Sequence, residues 1–363
     1  MKILFLSTPV GPLGSGLGGG VELTLSNMVS ALQRRGHHID VVAPAGSQLT
    51  GVSLVPISGA LQTLAQTQGR GDPIHMPANS ALAAMWDYAR QIHQDYDVLL
   101  NFAYDWLPFY LTPWFSRPVG HLVSMGSLSD AMDRAITQVL SQFPGTIGVH
   151  TQAQANTFPF GDRCRVLQNG FDLSQYSFEP QPVNELAWVG RIAPEKGLED
   201  AIAAAAQCRT PLNVFGAVSD ASYWHQIQEQ YPEAPVRYRG FVALDELQQG
   251  IGECKALLVT PKWIEAFGNV VIEALACGVP VIAYRRGGPA ELIRPGQTGW
   301  LVEPDSVAGL VDAIAQVAQI DRSACRRDAE THYSLPAMGQ RVESWLTDIA
   351  AVRPVPPDTA GPA

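Results

Sequence analysis

Glu265 and Glu273 stand eight positions apart in the run Lys262-Trp-Ile-Glu265-Ala-Phe-Gly268-Asn-Val-Val-Ile-Glu273. Two carboxylates at such a spacing can serve as acid and base, or can hold the hydroxyl groups of a ligand. The apolar run at 256–261 predicts a buried strand, and the run at 270–277 predicts a helix ended by Gly278 and Pro280. Glu265 then lies in a strand-to-helix loop and Glu273 about one turn inside the helix. Open α/β sheets bind ligands at this carboxyl edge, and a helix N-terminus offers N–H groups to phosphate. Taken alone, the pair is better described as two solvated glutamates of an amphipathic helix. Its surroundings reverse that reading.

Trp188-Val-Gly-Arg191-Ile-Ala-Pro-Glu195-Lys196-Gly197 also follows a strand and opens a helix. Arg191 and Lys196 bracket the turn, so two cations can meet a diphosphate there, although surface charges around a turn look the same in isolation. Tyr284-Arg-Arg-Gly287-Gly288-Pro-Ala-Glu291 is a further glycine turn after a strand. In the first half, Gly14-Ser-Gly16-Leu-Gly-Gly19 fits the dinucleotide pattern GxGxxG. Its context does not fit: the loop is too long, and the second strand lacks the acidic residue at its end. A glycine loop that lets backbone N–H groups approach a ligand is the better reading, against a plain surface loop. Glu22, just past it, either faces a ligand or caps the helix.

These residues need sheets to position them. A strand at 2–7, a helix at 21–35 and a strand at 38–43 begin a βαβ series that continues through 98–101, 119–123, 146–150 and 165–167. A second series runs through 186–190, 212–215, 236–238, 256–260, 279–283 and 299–302. Two such series predict an α/β protein of two doubly wound, Rossmann-like domains facing each other across a cleft. The boundaries expected are 1–178, 179–334, a helix at 335–350 that crosses back to the first domain, and a disordered tail at 351–363.

The chain has 363 residues, 46% of them hydrophobic and 16% charged, which suffices for two cores. A net charge of −10 argues against nonspecific nucleic-acid binding. Five scattered cysteines without CxxC spacing predict reduced thiols rather than a zinc site. With no apolar run near membrane-span length and no recognisable leader, a cytoplasmic protein is expected.

With those residues in hand, the chain resembles the family 4 glycosyltransferases, retaining nucleotide-sugar enzymes of the GT-B fold. Glu265 to Glu273 matches the family's E-x7-E signature with Phe267-Gly268 inside it. Val189-Gly-Arg191 with Glu195-Lys196-Gly197 matches its phosphate-clamping segment. Gln168-Asn-Gly-Phe-Asp172, Gly287-Gly288-Pro-Ala-Glu291, Gly296-Gln-Thr-Gly299 and Gly18-Gly-Gly20-Val-Glu22 are similar to further family motifs. The resemblance implies that Arg191 and Lys196 neutralise the donor diphosphate, that Glu273 binds the ribose and that Glu265 binds the transferred sugar. It also implies that the amides of Gly268, Asn269 and Val270 bind the distal phosphate and that the base lies near Phe241 and Val242. Gly19, Gly20, Gly190 and Phe267 complete the expected donor set, with Arg191, Lys196 and Glu265 as the catalytic group. Neither a metal nor a cofactor is expected, because the cations take a metal's place and the nucleotide sugar is itself a substrate.

The first half departs from the family. Tyr104-Asp105-Trp106 stands where many members carry a histidine, and Val123-Ser-Met125-Gly126 replaces a Thr-x-His-Gly run. Glu22, Tyr104, Asp105 and Trp106 are therefore the acceptor-side candidates, and His121 and His150 are nearby histidines of a kind that is more often structural. A narrower resemblance, carried by residues 5–24, is to cyanobacterial UDP-glucose:tetrahydrobiopterin glucosyltransferases. It implies a UDP-glucose donor and a reduced pterin acceptor, with no integral membrane association and an oligomeric state left open. The alternatives are a transferase acting on a lipid or polysaccharide precursor, a nucleotide-sugar epimerase of the same architecture, and a noncatalytic sensor.

Overall fold

The structure is a computed structural model, and it describes residues 1–15 and 19–351. The middle of the glycine loop and nearly all of the expected tail lie outside the described residues. The chain forms two compact units, Met1–Gly170 with Leu335–Ala363, and Phe171–Ser334. The dividing line falls at Gly170, ahead of the expected 178.

In the first unit, seven parallel strands are β1 (Lys2–Leu6), β2 (His38–Pro44), β3 (Ser53–Ile57), β4 (Val98–Asn101), β5 (Val119–Leu122), β6 (Ile147–Val149) and β7 (Arg165–Val166). Their order across the sheet is β3-β2-β1-β4-β5-β6-β7. Strand alternation sends Ile3 and Phe5 to one face and Leu4 and Leu6 to the other. The first face is covered by the helices Gly20–Gln33 and Leu335–Ala350, and the second by Ala81–Ile92. Both faces are therefore buried, which is why the central strands read as unbroken apolar runs.

The helix Leu335–Ala350 is seated by sequence features far from it. A Cβ on Gly120 would come within 2.9 Å of Ile349, and one on Gly148 within 3.0 Å of Trp345. These two bare positions on β5 and β6 let the Trp345 ring lie on the sheet, where its indole N–H donates to the Gly145 carbonyl at 2.8 Å. Removing a buried side chain of that size costs about 3–5 kcal/mol.

In the second unit, six parallel strands are β8 (Val183–Val189), β9 (Leu212–Phe215), β10 (Val236–Gly240), β11 (Cys254–Val259), β12 (Val281–Tyr284) and β13 (Gly299–Val302). Their order is β10-β9-β8-β11-β12-β13. Leu186, Trp188, Ala256, Leu258, Ile282 and Tyr284 form the strand side of one core, against the helices Leu198–Gln207 and Val307–Gln316. The stretch from Phe171 onward belongs to this unit because two arginines hold it. Arg326 donates to the carbonyls of Leu173 and Tyr176, and buried Arg322 donates to that of Glu179.

Candidate functional site

In a doubly wound sheet, the crevice opens where the strand order reverses. In the second unit that point lies between β8 and β11, which are direct neighbours. The loops leaving these two strands carry Arg191, Lys196 and Glu265.

Glycines bring the loops together. The Gly190 N–H donates to Phe215, and a Cβ on Gly216 would sit 1.9 Å from the Gly190 carbonyl oxygen. Gly197 adopts a left-handed conformation (φ 62°) to end the turn Pro194–Lys196, and a side chain there would meet the Thr260 carbonyl at 2.1 Å. The Thr260 hydroxyl in turn donates to the Gly197 carbonyl at 2.8 Å. On the far side, the Gly288 N–H donates to the Glu265 carbonyl at 2.7 Å, and a Cβ on Gly287 would clash with the Glu265 backbone at 2.6 Å. The loop after β11 is thus held at Thr260 by the loop after β8 and at Glu265 by the loop after β12.

Within this frame the Lys196 ammonium donates to Glu265 Oε2. The same oxygen accepts the indole N–H of Trp263 at 3.1 Å, and the ammonium lies 5.0 Å from the centre of the Trp263 ring. Arg191 is half-exposed and pairs with Glu195 at 2.9 Å on its own loop. The helix Asn269–Ala276 begins at Gly268, left-handed at φ 96°, which has no side chain to cap the first turn. The start of this helix, the positive end of its dipole, stands at the same edge. Phe267 is buried, edge-on to the Tyr333 ring at 6.2 Å, so it packs beneath the loop. At the end of β10, Phe241 is 82% exposed and Val242 half-buried, beside the Gly240 carbonyl that accepts the Gly216 N–H.

Glu273 is buried, and burial pushes its carboxyl up to about 7 although the Tyr176 hydroxyl bonds to it. Tyr176 owes its place to Arg326, which also donates to the Ala276 carbonyl at the end of the same helix. Neither Tyr176 nor Trp263 was expected. Trp263 lies two residues ahead of the E-x7-E run and could have been suspected from its place before Glu265; Tyr176 carries no local signal.

The first sheet reverses between β1 and β4. The loop after β1 leads to Gly19 and Gly20, which start the helix, and to Glu22, whose carboxylate accepts the Gly14 N–H at 2.8 Å. The loop after β4 carries the other candidates. The Tyr104 hydroxyl accepts the Leu128 N–H at 3.3 Å, and burial pushes its phenol up to about 12. Asp105 caps the helix Trp106–Leu111 and accepts from Gln62 Nε2 at 2.7 Å, with burial raising its carboxyl. Trp106 stacks on Tyr110, ring centres 4.4 Å apart. His121 bonds to Asn101 and Thr112 and stacks on Phe109, and burial lowers it to about 3. His150 bonds to Ser124, and burial lowers it to about 4. Both are neutral core histidines.

Gln62 belongs to a long excursion between β3 and the helix Ala81–Ile92 that the sequence did not reveal. It crosses the edge of the sheet: the Gln62 N–H donates to Pro9, its side chain to Asp105, and Arg70 to Asp130, Asp133 and the Ser127 carbonyl. Among the described residues, no group of three His, Cys, Asp or Glu side chains is placed to hold a metal ion. Also among them, no helix is long and apolar enough to cross a membrane.

The family model for Glycosyltransferase Family 4 matches residues 18–175, and that for Glycosyl transferases group 1 matches residues 173–331. Glycogen synthase of Mycobacterium tuberculosis is 33% identical over 172 residues, 45% of this chain and 41% of the relative. The chain thus spans about two fifths of that relative's length. D-inositol 3-phosphate glycosyltransferase of Corynebacterium glutamicum is 24% identical over 97% of both chains. Among solved structures, Anabaena HepE in complex with UDP and glucose is similar, with a TM-score of 0.74 and 21% identity over 96% of this chain and 100% of that one. Two parallel-sheet α/β units with such neighbours are the GT-B fold. The chain belongs to the family 4 glycosyltransferases.

Proposed function

We propose that the protein is a retaining, metal-independent hexosyltransferase that moves glucose from UDP-glucose to a small soluble acceptor, a reduced pterin such as tetrahydrobiopterin. The observation that carries this reading is the Lys196–Glu265 pair at the switch point of the second sheet, beside the N-terminus of the helix Asn269–Ala276. Departure of the nucleoside diphosphate builds negative charge on phosphate and positive charge on the anomeric carbon. Lys196, Arg191 and the amides of Asn269 and Val270 stabilise the first, as preorganised donors do best. Released from Lys196, Glu265 accepts hydroxyls of the sugar, and ionised Glu273 accepts those of the ribose. Exposed Phe241 offers a face for the base. With no protein nucleophile required, transfer on the front face retains configuration, the leaving phosphate taking the acceptor's proton. These cations do the work a metal would do, and the nucleotide sugar is substrate rather than cofactor.

UDP-glucose as donor draws support from HepE, which has been solved with UDP-glucose. A small acceptor draws support from the full-length match to an enzyme named for D-inositol 3-phosphate. The pterin rests on the resemblance carried by residues 5–24 and on the flat ring of Trp106, with Glu22, Tyr104 and Asp105 around the same sheet edge. Five free cysteines suit a reducing cytoplasm. The test is incubation with UDP-, GDP- and ADP-sugars and a panel of acceptors, with and without EDTA, read by mass spectrometry. Glucosylated pterin that needs UDP-glucose and survives EDTA is expected. Turnover confined to an inositol phosphate or a lipid-linked acceptor would replace the pterin, and no turnover with any donor would overturn the reading.

A further inference from the structure

We infer that Trp263 is a positioning residue of the donor site, fixing Lys196 and Glu265 as one unit and so favouring a nucleotide that carries a sugar over the bare nucleoside diphosphate. This rests on the donor reading above. Three side chains close a triangle. Lys196 donates to Glu265 Oε2, the Trp263 indole N–H donates to that same oxygen at 3.1 Å, and the ammonium lies over the indole ring at 5.0 Å. Two donors on one oxygen fix the carboxylate plane and leave Oε1 without a protein donor among the described residues. A cation on a Trp face is attracted by the ring's negative face, which biases a flexible lysine toward one rotamer.

Trp263 can impose this order because the chain on either side of it is fixed. The Pro261 carbonyl accepts from Arg286 at 2.8 Å, and the Lys262 N–H donates to Glu195 at 2.9 Å. The Lys262 side chain is committed to Asp200 and, at 3.1 Å, to Asp305. Beyond Trp263, the Glu265 backbone is packed against Gly287 and bonded to the Gly288 N–H. The indole is thus held from both sides, and it holds the pair in turn.

Opening that pair has different consequences for two ligands. A nucleoside diphosphate draws Lys196 to its phosphates and removes one donor from a partly buried carboxylate, an uncompensated cost. A nucleotide sugar draws Lys196 in the same way but returns hydroxyl donors to Glu265, which Trp263 keeps in place to receive them. Trp263→Phe deletes the N–H and leaves a smaller aromatic face for the ammonium.

Binding of UDP and of UDP-glucose is measured by calorimetry for the wild type, Trp263→Phe, Glu265→Gln and the double variant, with thermal midpoints as a check of folding. Trp263→Phe is expected to bind UDP within about threefold of wild type. It should bind UDP-glucose roughly tenfold more weakly, as loss of a bond to a charged group implies. In the Glu265→Gln background it should add little. Equal losses for both ligands, no loss for either, or additive losses would overturn the inference while leaving the donor reading intact. Wild-type protein that binds neither nucleotide overturns both. Should Trp263→Phe fold poorly, Trp263→Tyr replaces it and is judged by the same ratio.

Discussion

The two sheet edges obey one topological rule and are built in opposite ways. At the edge of the second unit, loops are welded by glycine backbones at van der Waals limits, and the charged side chains they carry pair with one another. At the edge of the first unit, the polar side chains tie loops to themselves and to one another: Glu22 to Gly14, Tyr104 to Leu128, Asp105 to Gln62 and the helix it caps. The first construction holds charges at fixed places and lets them exchange partners when a ligand of fixed charge arrives. The second spends its polar groups on holding loop shape, so discrimination there falls to the contour that the loops and the 58–80 excursion enclose. On the proposed reading, charge selects the ligand at the edge of the second unit and shape the ligand at the edge of the first.

The largest break in that comparison should come from Lys196→Ala. Loss of a preorganised charge on the leaving group should cut kcat at least roughly 10²-fold. Steady-state kinetics with saturating acceptor check it, and near-normal turnover would remove the donor assignment.

Glu273→Gln should also lower turnover at least roughly 10²-fold, yet raise thermal stability at pH 8. The sign follows from the carboxyl raised to about 7 by burial. The folded state holds this proton more tightly than the unfolded chain, so stability falls as pH climbs from the ordinary carboxylate range through about 7 and then levels. The amide escapes that loss, and its advantage should vanish below about pH 4. In the wild type, donor affinity should weaken about tenfold between pH 8 and 6 as Glu273 takes up its proton. A pH-independent affinity would show that Glu273 does not meet the donor in its ionised form.

The smallest effect is expected on the other edge. Asp105→Asn with Gln62→Ala should raise the acceptor KM a few fold and leave UDP-glucose affinity within about twofold. Asparagine still caps the helix, so the stability loss should be that of the Gln62–Asp105 bond alone, about 1 kcal/mol. A tenfold change in donor affinity instead would erase the contrast between the edges.

The central strands and the donor loops were legible in the sequence for the same reason: their signals are local. Unbroken apolar runs mark strands buried on both faces, and glycine, lysine and glutamate at fixed offsets mark the turns that follow. β3 was missed because Ser53–Ile57 is a half-buried edge strand with Pro56 inside it, which looks like neither a core strand nor a helix. Segment ends shifted by a residue or two, as with the helix Asn269–Ala276, which starts at the cap set by Gly268 rather than at the first apolar residue. Tyr176 could not be read because it reaches Glu273 only through the folded chain, where Arg326 clamps its backbone. Glu22 was singled out in the sequence, but not its bond to the Gly14 N–H.

The helix Leu335–Ala350 also bears on how the protein is made. Met338, Val342, Trp345, Leu346 and Ile349 complete a core begun by Ile3, Phe5 and Leu25. On the ribosome, the second unit can close from one continuous stretch as soon as it emerges, while the first must wait with an apolar face open until the helix is released. The first half to be synthesised is the last to be finished.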